Sequence, residues 1–262
     1  MNRRSLLAAG ASALAFPARG EPTTLVPVLT YHRFDPLQAR SATIVTTSVF
    51  AEQMDHLANS RIRVAPLREV LGFARGTAPS GPTVAITADD GWRSVHAEMF
   101  PIIQRHRFPI TLFLNPPMIG VGSAYLTWPM IVEMLKSGLV DVQPHTQSHP
   151  NFNTERARRD PVGFQTYVLE QIAGSRRDIT RKLELPADIL AWPFGIHDTM
   201  LEASAATAGC IAAFALGGRA VTSGDPAFAL PRYQVYDTDR AGRFAAVASG
   251  QPRQPSHAKA PS

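Results

Sequence analysis

The fold is decided by the stretch T-V-A-I-T-A-D-D-G at residues 83–91. Its first part, Thr83 to Thr87, is rich in β-branched side chains, which favour a strand buried in a sheet. Two adjacent carboxylates, Asp89 and Asp90, follow where that strand should end, and Gly91 permits a tight turn after them. The stretch therefore predicts a core strand that delivers acidic side chains to the edge of a sheet.

Strand patterns and helix patterns alternate on both sides of this stretch, and short segments connect them. Such alternation is typical of a parallel sheet covered by helices. About seven strand–helix units fit the chain, so we predict an α/β fold, an irregular (β/α)7-type barrel in a single domain over residues 21–246. The predicted strands are 25–31, 83–87, 110–114, 139–142, 189–192, 210–215 and 228–235, and the predicted helices are 47–59, 67–74, 92–106, 127–137, 163–183 and 198–208.

Polar side chains gather where the predicted strands end. In parallel α/β barrels this end of the strands carries the active site. We therefore expect these side chains to lie together around one site. They are His32, Asp89, Asp90, Asn115, His145 and His149, followed by the Pro193–Gly195 segment.

His145 and His149 form an H-x3-H pair, a spacing that brings both imidazoles to one side of a tight loop or helical turn. Two histidines and one carboxylate make a sound ligand set for a catalytic divalent metal with an open position for water. Each part also has a plainer alternative. Asp-Asp-Gly is more often a surface turn, and paired histidines often bond nearby carbonyls. The joint occurrence of the motifs at several strand ends favours the metal site.

Four motifs, in this chain order, resemble those of one enzyme family. They are T-Y-H at 30–32, T-A-D-D-G at 87–91, H-T-Q-S-H at 145–149 and W-P-F-G at 192–195. Over residues 26–235 the chain resembles the NodB-homology polysaccharide deacetylases, carbohydrate esterase family four, and within them the periplasmic poly-N-acetylglucosamine deacetylases. The resemblance implies a metal-dependent hydrolase that removes N-acetyl groups from an N-acetylglucosamine-containing polysaccharide or oligosaccharide.

The resemblance also implies roles for the matching residues. Asp89 would be the catalytic base, and the main-chain N–H of Phe194 would stabilise the oxyanion. A divalent metal, usually zinc in this family, would be held by Asp90, His145 and His149.

The sequence departs from the family pattern in three places. Ala88 replaces a phenylalanine, and Ala191 replaces the arginine that usually partners the catalytic base. No Leu-x-His motif occurs near the C-terminus, from which the family usually draws its general acid. We predict that Arg232 substitutes for the missing arginine and that His32 is the general acid, as in the subgroup that the chain resembles.

Aromatic side chains near the strand ends are candidates for stacking on sugar rings, although core packing is the alternative for each of them. We predict that Trp192 and Phe194 line the substrate groove, because they lie inside a motif. Asn115, at the end of a predicted strand, is a further predicted substrate-binding residue. The remaining aromatic candidates are Trp92, Tyr125 and Trp128.

Both termini are predicted to lie outside the catalytic domain. Residues 1–20 begin with M-N-R-R, continue as a short apolar run and end with A-R-G, which is the pattern of a signal peptide with twin-arginine character. A buried N-terminal helix is the alternative. We therefore expect an exported protein, periplasmic or extracellular. Residues 247–262 are predicted to be a disordered tail.

Charge and composition argue against several classes of protein. Residues 1–20 hold three of the 26 Lys and Arg residues and none of the 21 Asp and Glu residues, so the remaining chain carries +2. No basic block of the kind that binds nucleic acid is present. No apolar stretch of about 20 residues follows the leader, so we expect no membrane span. Cys210 is the only cysteine, and the sequence specifies no oligomeric state.

Three functions are compatible with these features. The first is an amino-sugar deacetylase. The second is an O-acetyl esterase or small-amide hydrolase on the same scaffold. The third is a catalytically inactive carbohydrate-binding relative, which the loss of the arginine at Ala191 would favour. A binding protein needs neither a full set of metal ligands nor a base, so the retained residues favour an enzyme.

Overall fold

Parallel strands and covering helices make up the structure, a computed structural model that describes residues 25–252. The predicted signal peptide at 1–20 lies outside the described residues. The strands are β1 (Val28–Tyr31), β2 (Arg33–Asp35), β3 (Ile44–Thr46), β4 (Arg63–Val64), β5 (Thr83–Asp89), β6 (Ile110–Leu114), β7 (Val140–Pro144), β8 (Ile189–Ala191), β9 (Ala212–Phe214) and β10 (Tyr233–Gln234). The helices are α1 (Thr47–Asn59), α2 (Leu67–Ala74), α3 (Phe100–His106), α4 (Trp128–Lys136), α5 (Phe152–Arg156), α6 (Pro161–Leu183), α7 (Thr199–Thr207) and α8 (Ala241–Ala248).

Every pair of named strands is parallel. The central sheet has the order β10-β1-β5-β6-β7, and β4 pairs with the beginning of β5. Two smaller parallel pairs, β2–β3 and β8–β9, complete the strands. Parallel neighbours need crossover connections, and here helices supply them and cover the outside of the sheet. None of the helices within residues 25–252 has the length and apolarity that a membrane crossing requires.

A side chain joins β7 to β8. Gln143 Oε1 accepts hydrogen bonds from the main-chain N–H groups of Asp188 (3.0 Å) and Ile189 (2.9 Å). Beyond β9, the Ala215 N–H donates to the Leu230 carbonyl at 2.7 Å, which links β9 to the segment before β10. The strands β1 and β5 to β10 thus form the irregular (β/α)7-type barrel that the alternating pattern predicted.

Side chains along β5 alternate between the helix layer and the barrel interior. Ile86 and Ala88 pack in the cluster that contains the outer helices, whereas Ala85 packs with the inner faces of other strands. Thr87 and Asp89 have the same parity as Ala85 and therefore project into the interior. Asp89 consequently stands buried at the carboxyl end of the barrel, 2% exposed.

Helix α2 packs its buried face against residues near the beginnings of the inner strands. Leu67, Val70 and Phe73 belong to the same apolar cluster as Val28 and Ala85. Burying this apolar surface is favourable by about 25 cal/mol per Å². The interior of the barrel at the end opposite Asp89 is therefore filled by apolar side chains.

Most predicted elements are present, but several boundaries differ. The first strand begins at Val28 rather than at residue 25, and the helix predicted over 92–106 is α-helical only over Phe100–His106. The last strand is regular only at Tyr233–Gln234 rather than over 228–235, because Pro231 has no N–H for a sheet hydrogen bond. The chain also remains ordered beyond the predicted boundary at residue 246. Val247 and Ala248 are buried in α8, which packs Phe244 against His56 of α1. Residues 253–262 of the predicted tail lie outside the described part of the chain.

Candidate active site

Left-handed backbone conformations cluster at the carboxyl ends of the strands. Asp90 (φ 73°), Thr146 (φ 66°), His149 (φ 51°) and Phe194 (φ 57°) are four of the seven non-glycine residues with positive φ in the described chain. Such conformations cost free energy for residues with a Cβ and concentrate at functional sites. The positive φ of Asp90 ends the extended conformation of β5. The carboxylate of Asp90 therefore turns toward the same site as the carboxylate of Asp89.

The three predicted metal ligands come together. Asp90 Oδ1 lies 3.6 Å from Nε2 of His145 and 3.6 Å from Nε2 of His149. One ligand atom from each of the three residues lies within 4.8 Å of the others. Two atoms bound at about 2.1 Å to one tetrahedral ion lie about 3.4 Å apart. The spacing and the chemistry of this carboxylate–imidazole set therefore fit a divalent ion such as zinc.

Main-chain contacts orient His145 for ligation. Its Nδ1 lies 2.8 Å from the carbonyl oxygen of Ala191, so Nδ1 carries the proton and Nε2 directs its lone pair toward Asp90. Burial lowers the pKa of His145 below its ordinary value, which favours the neutral imidazole. Ligation requires that neutral form. Asn115 steadies the same loop, because its amide donates to the carbonyls of His145 (2.5 Å) and Thr146 (3.2 Å).

Asp89 forms a buried, two-point ion pair with Arg232. Nη1 and Nη2 of the arginine each donate to one oxygen of Asp89 at 2.8 Å. The same guanidinium donates to Thr87 Oγ1 at 3.2 Å and to the carbonyl of Ala215 at 3.3 Å. Burial is the largest single influence and would raise the pKa of Asp89. The charges of Arg232, His145 and His32 and the hydrogen bonds from Arg232 together outweigh burial and lower the pKa to about 2. Asp89 is therefore ionised.

Two residues predicted to contact substrate are buried. Trp192 is 1% exposed, and its indole N–H donates to the carbonyl of Phe228 at 2.8 Å. Its large apolar surface packs in the core with Phe152 of α5 instead of lining a groove. Asn115 is 2% exposed, and its amide N–H groups are committed to the histidine loop. Trp192 therefore belongs to the core rather than to a groove, and Asn115 supports the histidine loop. Strand-end position does not distinguish a side chain that faces solvent from one that supports the loops.

Phe194 and His32 border the ion pair and the ligand set. The ring of Phe194 is exposed and meets the ring of His149 edge-on, with 4.6 Å between centroids. His32 is half-buried directly after β1, where Tyr31 pairs with Ala88 of β5. This neighbourhood is close enough for the charge of His32 to contribute to the low pKa of Asp89.

Two further residues shape the site and were not predicted to do so. Trp92 was considered only as a sugar-stacking candidate, yet its indole N–H donates to Asp90 Oδ2 at 2.9 Å. Gln143 holds β8, and with it the Ala191 carbonyl, at a fixed position beside β7. The sequence signal for the role of Gln143 was a glutamine inside the otherwise buried strand sequence V-D-V-Q-P.

Comparisons with known proteins agree with this geometry. The sequence model of the family described as polysaccharide deacetylase matches residues 76–213. A poly-beta-1,6-N-acetyl-D-glucosamine N-deacetylase of Staphylococcus aureus is 21% identical over 197 residues, which are 74% of this chain and 68% of that protein.

Solved structures show the same architecture. IcaB from Ammonifex degensii superposes with a TM-score of 0.74 and 26% identity, covering 86% of this chain and 97% of that one. The Streptococcus pyogenes deacetylase PplD superposes with a TM-score of 0.77 and 17% identity, covering 87% and 99%; at this identity the likeness shows the fold alone. Since the family model spans more than half of the chain and includes both the Asp-Asp-Gly and the H-x3-H motifs, the chain belongs to the polysaccharide deacetylase family, hydrolases of carbon–nitrogen bonds other than peptide bonds.

Proposed function

We propose that this hydrolase is a metal-dependent deacetylase that removes N-acetyl groups from a polymer of N-acetylglucosamine. The observation that carries the proposal is the convergence of Asp90, His145 and His149 beside the buried pair of Asp89 and Arg232. A carbohydrate-binding surface needs no such arrangement. Hydrolysis of an unactivated amide needs an electrophile, a base and an acid in one place.

Asp90, His145 and His149 would hold the ion, and we expect zinc. Three protein ligands leave one position open, as catalytic zinc sites require. When bound, the ion would polarise the acetyl carbonyl and lower the pKa of a nearby water. The neutral, oriented imidazole of His145 is consistent with this role.

Asp89 is proposed as the general base. Its Oδ2 lies 3.8 Å from Nε2 of His145, so the carboxylate stands beside the ligand set without belonging to it. Arg232 keeps Asp89 ionised and fixes the carboxylate plane through two hydrogen bonds. A carboxylate with a pKa of about 2 is a weak base, so its proton transfer depends on the water being acidified first.

His32 is proposed as the general acid that protonates the departing amine. It follows β1, the strand next to β5, and is therefore adjacent to Asp89 across the carboxyl end of the barrel. Its side chain is half-buried and close enough to Asp89 for its charge to help lower the pKa of that carboxyl, which supports a position beside the base. An amine leaves readily only when it receives a proton as the C–N bond breaks.

Phe194 is proposed to act through its main chain and its ring. The left-handed backbone at this residue (φ 57°) turns the segment after β8 sharply, which supports presentation of the main-chain N–H to an oxyanion. The exposed ring beside His149 offers a flat apolar face for a sugar.

We further propose that the substrate is a β-1,6-linked polymer of N-acetylglucosamine. We also propose that the protein is exported and acts on this polymer outside the cytoplasm. The name of the Staphylococcus aureus relative supports this linkage. The Arg3-Arg4 pair and the apolar run that follows support export, because they match the layout of a signal peptide.

Acetate release from β-1,6-linked N-acetylglucosamine oligomers tests the proposal. Zinc-loaded protein should release acetate, a chelator should abolish the release, and Asp89→Asn should be inactive while still binding zinc. Release from O-acetylated xylan alone would instead favour an esterase. Oligomer binding without any acetate release would favour an inactive carbohydrate-binding relative.

A further inference from the structure

The two oxygens of Asp90 face different partners. Oδ1 lies 3.6 Å from Nε2 of both His145 and His149, whereas Oδ2 accepts a hydrogen bond from the indole N–H of Trp92 at 2.9 Å. A carboxylate with one oxygen occupied in this way can turn only the other oxygen toward the imidazoles. Trp92 therefore decides which oxygen of Asp90 belongs to the ligand set.

The indole ring is itself held in place. Tyr125 stacks on it, with 4.6 Å between centroids and 18° between planes, and Arg33 places its guanidinium carbon 4.3 Å from the ring centroid. Stacking and cation–π contacts of this kind stabilise the position of a ring beyond the effect of the area they bury. A ring covered by two neighbouring side chains is better suited to holding Asp90 than to stacking on a sugar.

Main-chain contacts anchor the same segment. Trp92 and Tyr125 form an antiparallel bridge, and the Leu126 N–H donates to the Gly91 carbonyl at 2.8 Å. Gly91 has φ +75°, a backbone conformation that strains residues with a Cβ, and a Cβ there would also press on the Ile119 side chain at 2.8 Å, so the position favours glycine. The loop at 119–126 thus fixes the position of the Trp92 backbone as well as that of its ring.

We propose that Trp92 is a positioning residue for the metal centre, acting through the hydrogen bond from its indole N–H to Asp90. This inference rests on the proposed function, since it assigns Asp90 as a metal ligand. Groups that hold a ligating side chain orient it before the ion arrives, and their loss typically weakens metal affinity about 10- to 100-fold. Trp92 therefore sets zinc affinity while making no contact with the ion.

The test measures the zinc dissociation constant of purified variants by competition with a chromophoric chelator. Trp92→Phe keeps an aromatic ring but removes the N–H, and it should weaken zinc binding tenfold or more. Trp128→Phe is the matched control. The Trp128 indole lies against Lys182, so this substitution should leave the zinc dissociation constant unchanged. A Trp92→Phe constant within twofold of the unsubstituted protein would overturn the proposal.

A second pair of variants covers the case in which Trp92→Phe does not fold. In glutamine the side-chain N–H lies as many bonds from Cβ as in tryptophan, whereas methionine has a similar length and no donor. Trp92→Gln should therefore bind zinc more tightly than Trp92→Met, and equal dissociation constants would count against the hydrogen bond.

If the unsubstituted protein binds no zinc, the proposed metal centre fails together with this inference. If it binds zinc and Trp92→Phe binds equally well, only this inference fails.

Discussion

Arg232 donates to both carboxylate oxygens of Asp89 at 2.8 Å, although 143 residues separate the two along the chain. The resemblance to other deacetylases implies an arginine at the position of Ala191. Here the side chain of Ala191 is too short for that role, and its carbonyl accepts from His145 instead. The guanidinium of Arg232 comes from the segment directly before β10 and reaches the same carboxylate from a different part of the chain.

Removing Arg232 should destabilise the protein as well as inactivate it. Arg232→Ala leaves the charge of Asp89 buried and unpaired, which typically costs about 3–5 kcal/mol of unfolding free energy. Urea unfolding of the metal-free protein measures the cost without interference from bound ions. The double variant Asp89→Asn with Arg232→Ala should be more stable than Arg232→Ala alone, because no charge remains unpaired. If the stability lost by the double variant equalled the sum of the losses measured for Asp89→Asn and Arg232→Ala singly, the ion pair would contribute nothing to stability.

Zinc should stabilise the folded protein through His149. A ligand that binds only the folded state adds about 2.7 kcal/mol when its concentration is 100 times its dissociation constant. His149→Ala removes one proposed ligand whose side chain is 30% exposed, so the metal-free fold should survive. Thermal unfolding with and without zinc should therefore show a rise in Tm for the unsubstituted protein and little rise for the variant. An equal rise in both would mean that zinc binds elsewhere.

Replacing His32 should separate turnover from metal binding. General acid catalysis contributes about 10²- to 10⁴-fold to rate, so His32→Ala should lose that much of kcat for acetate release. Its zinc content and Tm should match those of the unsubstituted protein. His106→Ala is the control, because His106 ends α3 and pairs with Asp55 of α1, away from the strand ends that carry the site. Near-normal turnover in His32→Ala would reject the assignment.

Local sequence patterns were enough to predict the larger elements. The predicted residues of α1, α2 and β6 coincide with those observed, because each carries its own periodicity or β-branched run. The short strands β2 and β3 were not predicted. They span three residues each, and their conformation depends on pairing with each other, a relationship that a local pattern does not contain.

Sequence patterns also predicted only part of the candidate site. The convergence of Asp90, His145 and His149 followed from motifs at strand ends, since the strand direction brings those ends together. The buried position of Trp192 did not follow, because a motif residue can serve the core and leave its neighbour Phe194 to face solvent. Which side chains support a loop and which face the substrate depends on packing between distant elements.

Cys210 should be inert in the folded protein. Burial raises the pKa of its thiol to about 12, from an ordinary value of 9.0. Iodoacetamide attacks the thiolate, so at pH 8 labelling should be far slower in buffer than in denaturant, as mass spectrometry can measure. Because the folded-state pKa is the higher one, the stability that this group contributes is present below about pH 9 and declines as the pH rises toward 12. Rapid labelling of folded protein would contradict the buried position.

The barrel should depend on one amide side chain where β7 meets β8. Gln143 accepts from two main-chain N–H groups, those of Asp188 and Ile189, and its own N–H donates to the Pro186 carbonyl at 3.0 Å. Gln143→Met has a similar volume but would leave these groups without partners, at a cost of about 1–3 kcal/mol for each one that stays unsatisfied. Gln104→Met, on the exposed side of α3, should change stability by less than about 0.5 kcal/mol. Because β8 also carries the carbonyl that orients His145, the Gln143 variant should lose zinc affinity together with unfolding free energy. A variant that loses stability but binds zinc normally would show that His145 is held independently of this junction.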